Sequence, residues 1–432
     1  MIRIGFAYNQ KPSVVAAEVA AVPSAVPTSG DAVLADEEPP SRAASAARAA
    51  SSSSRDAAAS AAQSSLGSLH GAPAAASAAP SPLGSVHGAP AAASAAAQEI
   101  DDEFAEWDAP ETIDAVARAL SAYGDVVRLE ATEEFPERLR RERPAIVFNI
   151  AEGLRGVNRE AHVPAICEFF GVPYSGSDPF TLSLCLDKAR TKETLAFHGI
   201  PTAPFALVRN AADAEGLVRC LTSSDTPLAF PLFAKPVHEG SSKGITTANY
   251  CADVDALAAQ LAYLLETYAQ PVLVEEFLPG DEFTCAVLGN GREARVLPIV
   301  GINFGSLPEG AVPVYGYEAK WLWDRPENPL EIFSCPAPIP DALRERVERV
   351  TLDAYRVLGC RDWSRIDVRL DGRGVPNVVE VNPLPGILPD PADNSCFPKA
   401  ARAAGIDYDG LIQACLLAAA ERQGVRLTRR AR

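Results

Sequence analysis

Residues 365–386 read RIDVRLDGRGVPNVVEVNPLPG, two alternating apolar runs separated by DGRG. This pattern predicts a β-hairpin whose turn spans Asp371–Gly374. Because side chains alternate along a strand, the polar residues of each run share one face. If those two faces coincide, one arginine, two carboxylates and an amide converge on one point. The polar side chains are Arg365, Asp367 and Arg369 on the first run and Glu380 and Asn382 on the second.

This polar group admits two interpretations. Carboxylate and amide oxygens suit a hard cation such as Mg²⁺, which keeps some coordination positions for phosphate oxygens. The alternative is an exposed, charged sheet face held by cross-strand ion pairs. Taken alone, the hairpin slightly favours the exposed sheet face.

A second segment, FAKPVHEGSSKG at 233–244, places Lys235 at the end of an apolar run and follows it with a loop rich in glycine and serine. A lysine in this position suits phosphate oxygens, and the stretch from Gly240 to Ser242 can expose backbone N–H groups. The chain contains no GxxxxGK[ST] pattern, so this is not a P-loop. Taken alone, the segment is more typical of an ordinary surface loop.

A third segment, VLVEEFLPGDEF at 272–283, carries three carboxylates around an apolar strand and turn, namely Glu275, Glu276 and Glu282. A purine can rest on such a strand edge while its ribose hydroxyls bind one carboxylate. The three segments together favour a nucleotide and metal site over three unrelated surface features.

Composition narrows the class of protein. The chain has 432 residues, 47% of them hydrophobic, and a formal charge of −17, which argues against nucleic acid or an anionic membrane as a partner. Its nine cysteines are scattered singly, as expected of reduced thiols in a cytoplasmic protein. The start, MIRIGFAYNQ, lacks the apolar core of a signal peptide, and no run approaches the roughly 18 apolar residues of a membrane span. We therefore expect a soluble protein that is not exported.

A low-complexity insert interrupts the first domain. Residues from about 11 to 99 are dominated by Ala, Ser and Pro, and LGSLHGAPAAASAA from Leu66 recurs as LGSVHGAPAAASAA from Leu83. Such a segment buries too little surface to offset its ordering entropy, so we predict disorder. Before it, Arg3 to Tyr8 reads as a strand; after it, Asp108 and Pro110 start a helix that precedes two further strands, VVRLE and PAIVFNI. Alternating strands and helices predict an α/β domain with a parallel sheet.

The rest of the chain alternates in the same way. Helices are predicted over the segment that carries Lys188, over VDALAAQLAYLLETY and over YDGLIQACLLAAAER, with strands at PFALV, PLFAKP and VLVEEF. The predicted parts are an N-terminal α/β domain at 1–186, a central subdomain at 187–272, a C-terminal subdomain of α+β character at 273–422 and a basic, solvated tail at 423–432.

Six motifs in this order resemble the ATP-grasp carboxylate–amine ligases and, within them, the D-alanine–D-alanine ligases. They are LDKARTK, FAKPVHEGSSKG, VLVEEFLPGDEFT, YEAKW, RIDVRL and EVNPLPG, and the match runs from about Pro144 to Ile412. The resemblance implies a two-subdomain ATP-grasp fold behind the N-terminal domain. It also implies an enzyme that uses ATP to join the carboxylate of one amino acid to the amine of another, as in peptidoglycan precursor synthesis.

The resemblance implies a role for each matching residue. Lys188 and Lys235 would hold the phosphates of ATP, and Glu282 the ribose. The adenine pocket would be lined by Glu275, Glu276, Phe277 and Leu278. Two Mg²⁺ ions, or Mn²⁺ in their place, would be held by Asp367, Glu380 and Asn382.

The remaining roles concern the reacting groups. Arg365 would stabilise the transferring phosphoryl group, and Gly386 would donate its N–H to a developing oxyanion. Lys320 would lie on a mobile lid over the γ-phosphate, which meets the loop of Glu239 and Ser241. The amino-acid substrates would contact Glu160 and Ser395. Relatives are commonly dimers, so a homodimer is compatible with the resemblance.

The departures from the family cluster on the amino-acid side. After the first strand, AYNQKPSVV replaces a glycine-rich turn with a Ser-x-Glu segment, and in NIAEGLRGVNREAHVP Glu152 stands near the place of a histidine. YEAKW lacks the tyrosine that follows its lysine in the family, and the loop ILPDPADN is longer. Two alternatives therefore stay open: a ligase for a different pair of amino acids, and an ATP-binding relative without catalysis.

Overall fold

The computed structural model describes residues 2–12, 104, 106–223, 225–316, 318–323 and 330–430, without the side chains of 320–322. The disorder predicted over about 11–99 lies outside these residues, apart from Lys11 and Pro12. It therefore stays a prediction.

The first part of the chain forms the predicted parallel sheet. Strands β1 (Arg3–Tyr8), β2 (Asp125–Glu130) and β3 (Ile146–Asn149) lie in the order β2-β1-β3. The helices between and after them are α1 (Pro110–Leu120), α2 (Phe135–Glu142) and α3 (His162–Phe170). Strand β1 lies in the centre of this sheet, and all its residues except Arg3 are buried.

The start of α1 differs from the expectation in one detail. Pro110 occupies the first turn as predicted, but the N-cap is Ala109 rather than Asp108. Asp108 instead forms an isolated parallel bridge with Gln10. The chain thus resumes beside the end of β1, where the insert leaves it.

The central part is built on an antiparallel sheet. Asp187 separates α4 (Pro179–Leu186) from α5 (Lys188–Phe197), because its carboxylate accepts a hydrogen bond from Arg190 N at 2.9 Å and caps α5. The later elements are β4 (Phe205–Val208), α6 (Ala211–Thr222), β5 (Leu232–Pro236), β6 (Tyr250–Cys251), α7 (Val254–Tyr268) and β7 (Val272–Glu276). The sheet order is β4-β7-β5-β6.

The C-terminal part is built on a second antiparallel sheet of order β11-β10-β8-β12-β13, with β9 paired to β8. Its strands are β8 (Glu282–Leu288), β9 (Arg295–Val296), β10 (Val300–Ile302), β11 (Phe333–Ser334), β12 (Trp363–Leu370) and β13 (Pro376–Asn382). A π-helical turn spans Glu318–Trp323, and the helices are α8 (Asp341–Val357), α9 (Cys396–Ala403) and α10 (Tyr408–Arg422).

The hairpin β12–β13 forms as predicted, and its polar faces coincide. Arg365 lies opposite Asn382, and Asp367 lies opposite Glu380. Beyond this point the register shifts at a bulge between Asp367 and Val368. The bulge lies next to the carboxylates, a common position for bulges beside functional side chains.

Buried contacts join the C-terminal sheet to the N-terminal one. The ring of Trp363 is fully buried, 5.9 Å from Phe148 of β3 and 5.6 Å from Phe397 of α9. Next to it, the buried carboxylate of Asp362 accepts hydrogen bonds from Gly176 N at 2.8 Å and Arg422 Nη2 at 2.7 Å. These contacts fix the start of β12, and hence the site-bearing hairpin, against the N-terminal part.

Three further expectations can be compared with the structure. The basic tail is not purely solvated, because Val425 and Leu427 pack against the core and Arg430 Nη2 lies 2.6 Å from Asp125 Oδ1. All nine cysteines lie in the described part, and none forms a disulfide. Among the described residues, no helix combines the length and apolar character that crossing a membrane requires.

Candidate active site

A cavity of about 1070 Å³ opens between the two antiparallel sheets and the N-terminal part. Every site residue predicted from the sequence lines it, with the exception of Lys320. The backbone of Lys320 lies in the turn Glu318–Trp323, but its side chain lies outside the described residues. The residues predicted from the sequence therefore lie around one cavity, and the structure adds the contacts between their side chains.

Lys235 enters the cavity from the end of β5 and is held by a buried carboxylate. Its Nζ lies 2.6 Å from Glu275 Oε1, and Nζ of Lys192 lies 2.7 Å from Oε2 of the same glutamate. Burial alone would raise the pKa of Glu275, but the two lysines outweigh it and hold that pKa at about 2. Burial lowers the pKa of Lys192, whereas Glu275 and Glu380 raise the pKa of Lys235 against the same effect.

Lys192 is not among the site residues predicted from the sequence. A weak signal existed, because it lies four residues after Lys188 and therefore on the same face of α5. Its ammonium also hydrogen-bonds Thr202 Oγ1 at 2.5 Å and lies 5.5 Å from the ring centre of Phe205. Lys192 thus supports Glu275 from behind the cavity wall.

Lys188 bridges two parts of the site. Its Nζ lies 2.9 Å from Glu380 Oε1 and donates a short hydrogen bond to the carbonyl oxygen of Glu239. Burial opposes ionisation of Glu380, but Lys188, Lys235 and Arg365 lower its pKa to about 2. A permanent anion therefore faces the cavity from β13.

The loop after β5 adopts a strained backbone. Ser241 and Ser242 have φ values of 48° and 64°, in the left-handed region that favours glycine. Gly244 has a φ of 68°, and a Cβ there would lie 2.7 Å from Cγ of Pro236. The sequence pattern of small residues predicted such a loop, and the structure shows that Gly244 has no room for a side chain.

Two residues outside the predicted set hold this loop. Gly240 N donates to Glu106 Oε1 at 2.9 Å, and Glu106 forms a buried ion pair with Arg159 Nη2 at 2.8 Å. Arg159 Nη1 also donates to the carbonyl oxygen of His238 at 2.9 Å. Glu106 follows the low-complexity insert, and no motif in its surroundings marks it. The sequence therefore missed it.

The opposite end of the cavity is aromatic and charged. Arg369 lies with its guanidinium carbon 4.5 Å from the ring centre of Phe277, and its Nη1 donates to Glu282 Oε2 at 2.9 Å. Glu276 accepts a hydrogen bond from Ala229 N at 2.9 Å, and Leu278 is buried. This combination of a flat apolar surface and carboxylates can hold a heteroaromatic base and a sugar.

The hairpin carboxylates form the centre of the cavity. Asp367 Oδ2 accepts from Arg365 Nη2 at 3.0 Å and Asn382 Nδ2 at 3.4 Å, while Oδ1 accepts from Thr284 Oγ1 at 2.9 Å. Burial raises the pKa of Asp367, although Arg365 opposes this. Arg365 keeps a buried Nε without a hydrogen-bond partner among the described residues.

The donor set of this centre fits a hard cation. Asp367, Glu380 and Asn382 offer only oxygen and amide groups, lie opposite or beside one another across β12 and β13, and all line the cavity. No group of three or more His, Cys, Asp or Glu side chains suited to a metal occurs in the described ranges. A cation here would thus need oxygens from a ligand to complete its coordination, as Mg²⁺ does with phosphates.

The last predicted residues lie near α9 and the N-terminal part. Ser395 Oγ donates to Gly386 O at 3.3 Å and accepts from Leu388 N at 3.2 Å, so its hydroxyl shapes the proline-rich loop. Glu160 is buried, and burial together with Glu106 raises its pKa to about 7. Asn149 Oδ1 accepts a hydrogen bond from Ala151 N at 3.1 Å, a contact within its own loop.

Comparison with known proteins identifies the family. The family model described as "D-ala D-ala ligase C-terminus" matches residues 195–417, just over half of the chain. The chain belongs to the D-alanine–D-alanine ligase family. The ligase class and the ATP-grasp fold expected from the six motifs are thereby confirmed.

Individual members of the family and its neighbours agree with this assignment. The chain is 36% identical over 249 residues to the D-alanine–D-alanine ligase of Bordetella avium, covering 58% of this chain and 70% of that protein. It is 36% identical over 295 residues to the uncharacterized protein y4sG of Sinorhizobium fredii, covering 68% and 80%. The D-alanine–D-alanine ligase of Bacillus anthracis, crystallised with ATP, shares the fold at 23% identity and a TM-score of 0.54, over 72% of this chain and 93% of that one.

Proposed function

We propose that this member of the D-alanine–D-alanine ligase family joins the carboxylate of one amino acid to the amine of another at the expense of ATP. The observation that carries the proposal is the placement of Lys188, Lys235 and Arg365 around the facing carboxylates Asp367 and Glu380. In phosphoryl transfer, cations placed around metal-binding carboxylates stabilise the charge of the transferring group. The pairing of D-alanine with D-alanine, a step of peptidoglycan precursor synthesis, is the reaction that the names of the relatives favour.

The nucleotide has a complete set of candidate contacts. The base would rest between Phe277 and Leu278, with the ribose hydroxyls on Glu282. The phosphates would lie between Lys188 and Lys235, whose ammonium groups also contact Glu380 and Glu275.

Asp367, Glu380 and Asn382 would hold Mg²⁺, which neutralises part of the phosphate charge when bound. Arg365 is already placed beside Asp367 and supplies a fixed cation next to the phosphoryl group in transit. Because the guanidinium is held by the protein, it needs little reorganisation during the reaction.

The reaction has two steps. An oxygen of the first amino acid's carboxylate attacks the γ-phosphorus of ATP, the bond to the β-phosphate oxygen breaks, and ADP leaves an acyl phosphate behind. The uncharged amine of the second amino acid then attacks the carbonyl carbon, and phosphate departs as the peptide bond forms; the amine proton passes to the surroundings. The N–H of Gly386 would face the developing oxyanion, and Ser395 would hold the carboxylate of the second amino acid through the loop that it shapes.

Water must be excluded because an acyl phosphate hydrolyses readily. The turn that carries Lys320 is joined to the neighbouring loop, since Glu318 Oε1 accepts from Thr247 N at 3.0 Å. We propose that this turn and the loop of Glu239 and Ser241 close together over the nucleotide.

Two further features stay proposals. We propose a location in the cytoplasm because the ligase needs ATP and its nine cysteines form no disulfide. A homodimer accounts for strongly exposed phenylalanines such as Phe169 and Phe197, at 84% and 85% exposure. Light scattering of the purified chain measures its mass directly, and a monomer at micromolar concentration would contradict the dimer.

The amino-acid dependence of phosphate release tests the proposed function. The full chain with Mg²⁺-ATP and D-alanine should release phosphate and form the dipeptide, as detected by mass spectrometry, whereas omission of the amino acid should abolish both. Tight ATP binding without phosphate release across a panel of D- and L-amino acids would instead show a nucleotide-binding relative without catalysis. Product formed only from another pair would keep the ligase and change its substrates.

A further inference from the structure

Arg369 is a buried cation in the wall of the cavity, and the reaction proposed above gives it no role. It lies on β12, two positions after Asp367, and is only 5% exposed. Its side chain lines the cavity at the end that would hold the base and the ribose. A buried charge is costly unless the protein or a ligand compensates it. The partners of Arg369 therefore indicate what this side chain does.

Two contacts of Arg369 are made with residues proposed to bind the nucleotide. Its Nη1 donates to Glu282 Oε2 at 2.9 Å, and its guanidinium carbon lies 4.5 Å from the ring centre of Phe277. Arg369 and Glu282 are opposite each other in the register of β12 and β8, so the sheet itself places them side by side. Because Glu282 would bind the ribose, the arginine orients the group that would recognise the sugar.

Two further contacts are made with the segment between β10 and the turn Glu318–Trp323. The same Nη1 donates to the carbonyl oxygen of Pro313 at 2.9 Å, and the ring centre of Phe304 lies 4.9 Å from the guanidinium carbon. Pro313 shortly precedes the turn that carries Lys320. Because one nitrogen makes both hydrogen bonds, a movement of the guanidinium changes the contact with Glu282 and the contact with Pro313 together.

The guanidinium is not fully satisfied by the fold. Its Nε and Nη2 are buried and have no hydrogen-bond partner among the described residues. Buried donors without a partner are destabilising, and an apolar side chain of similar size would avoid this cost. The two hydrogen bonds of Nη1 thus do not account for Arg369 as a purely structural residue. This points to a role in the reaction.

We propose that Arg369 is a positioning residue that couples recognition of the ribose to the segment preceding the turn of Lys320. Through Glu282 it fixes the carboxylate that would accept hydrogen bonds from the ribose hydroxyls. Through Pro313 it fixes the backbone that leads to the turn proposed to exclude water. The inference rests on the proposed function and deepens it, because it concerns the nucleotide site of the same reaction.

Titration calorimetry of the full chain with Mg²⁺ and either ATP or 2′-deoxy-ATP tests the contact with Glu282. The wild type should bind ATP about tenfold more tightly than 2′-deoxy-ATP, the effect of one good charge-assisted contact. Arg369→Met keeps a long side chain between the two phenyl rings but lacks the donor, so it should bind ATP more weakly and bring the ratio of the two affinities close to one. Arg369→Lys keeps the charge but ends short of the position of Nη1, and should give intermediate values.

The amounts of phosphate and dipeptide formed from ATP and D-alanine test the contact with Pro313. The wild type should form equal amounts, whereas Arg369→Met should release an excess of phosphate because water reaches the acyl phosphate. A residue that only stabilised the fold would lower both amounts alike. Arg373→Met changes an 86% exposed side chain on the turn of the same hairpin and should match the wild type in both experiments.

The outcomes separate this inference from the proposed function. Equal affinities of the wild type for the two nucleotides would overturn the inference, as would an unchanged affinity ratio or equal amounts of phosphate and dipeptide in Arg369→Met. If urea denaturation shows that Arg369→Met does not fold, wild-type ratios in Arg369→Lys would overturn it. Absence of phosphate release with any amino acid would refute the proposed function, and the affinity ratio, which needs no turnover, would then still decide on Arg369.

Discussion

Glu275 Oε1 lies 2.6 Å from Lys235 Nζ, and both side chains are buried. The lysine that would meet the phosphates is therefore positioned by a carboxylate of the neighbouring strand β7. The second oxygen of Glu275 lies 2.7 Å from Lys192, which leaves one buried anion between two buried cations. The ammonium group of Lys235 is thus held at a fixed place in the cavity, where it can contact a phosphate of ATP.

Glu275→Gln should be strongly destabilising, because it leaves two buried ammonium groups without their anion. Loss of one partner of a buried ion pair costs about 3–5 kcal/mol, so urea denaturation should show a decrease of this size in the free energy of unfolding. The KM for ATP should also rise about tenfold. Glu215→Gln, which removes an exposed carboxylate of α6, is the surface control. The double variant Glu275→Gln/Lys192→Met should regain part of the stability. Wild-type stability of Glu275→Gln would refute this account of the pair.

Asp367→Ala and Glu380→Ala should each abolish measurable turnover while leaving the fold largely intact. Both side chains face the cavity from the hairpin, and removal of one electrostatic group at a phosphoryl centre costs about 10²–10³ in kcat. Circular dichroism and phosphate release are the two measurements. Asp353→Ala, an exposed change on α8, provides the comparison. Wild-type activity in either hairpin variant would exclude that residue from the metal site.

The hairpin could be predicted because its signals are local. The alternation of RIDVRL and NVVEVN fixes the faces, and DGRG fixes the turn between them. The bulge after Asp367 has no such signal, since it depends on how β12 fits between two neighbouring strands. The prediction of the converging side chains was nevertheless correct, because the bulge lies beyond Asp367 and Glu380.

The supports of the site could not be predicted in the same way. Glu106 and Gly240 are 134 positions apart, and their hydrogen bond depends on how the N-terminal part packs beside β5. Lys192 and Glu275 meet across a helix and a sheet, and neither belongs to a short-range pattern that contains the other. The family motifs mark the residues around the cavity, whereas the residues that hold them come from the tertiary structure.

The buried carboxyl group of Glu160 should make the free energy of unfolding fall as the pH rises. The folded-state pKa of Glu160 is about 7 and its ordinary value is 4.5, so the folded protein binds the proton more tightly. The stabilisation from this proton is complete below about pH 4.5 and is lost as the pH approaches 7. Thermal unfolding from pH 4.5 to 7.5 should show this decline, and Glu160→Gln should flatten it. Parallel curves for the two proteins would contradict the assignment.

Glu106→Ala should loosen the loop after β5 without a direct change at the metal centre. Glu106 accepts from Gly240 N at 2.9 Å and pairs with Arg159 at 2.8 Å, and hydrogen bonds to a charged group contribute about 1.5–3 kcal/mol each. Hydrogen exchange at the amide of Gly240 should therefore accelerate about tenfold or more. Glu142→Ala removes a comparable but exposed ion pair with Arg3, which is worth at most about 1 kcal/mol, and should leave exchange in the loop unchanged. If Gly240 keeps its protection in Glu106→Ala, the loop is held by its own backbone, and the strained φ values of Ser241 and Ser242 do not need this support.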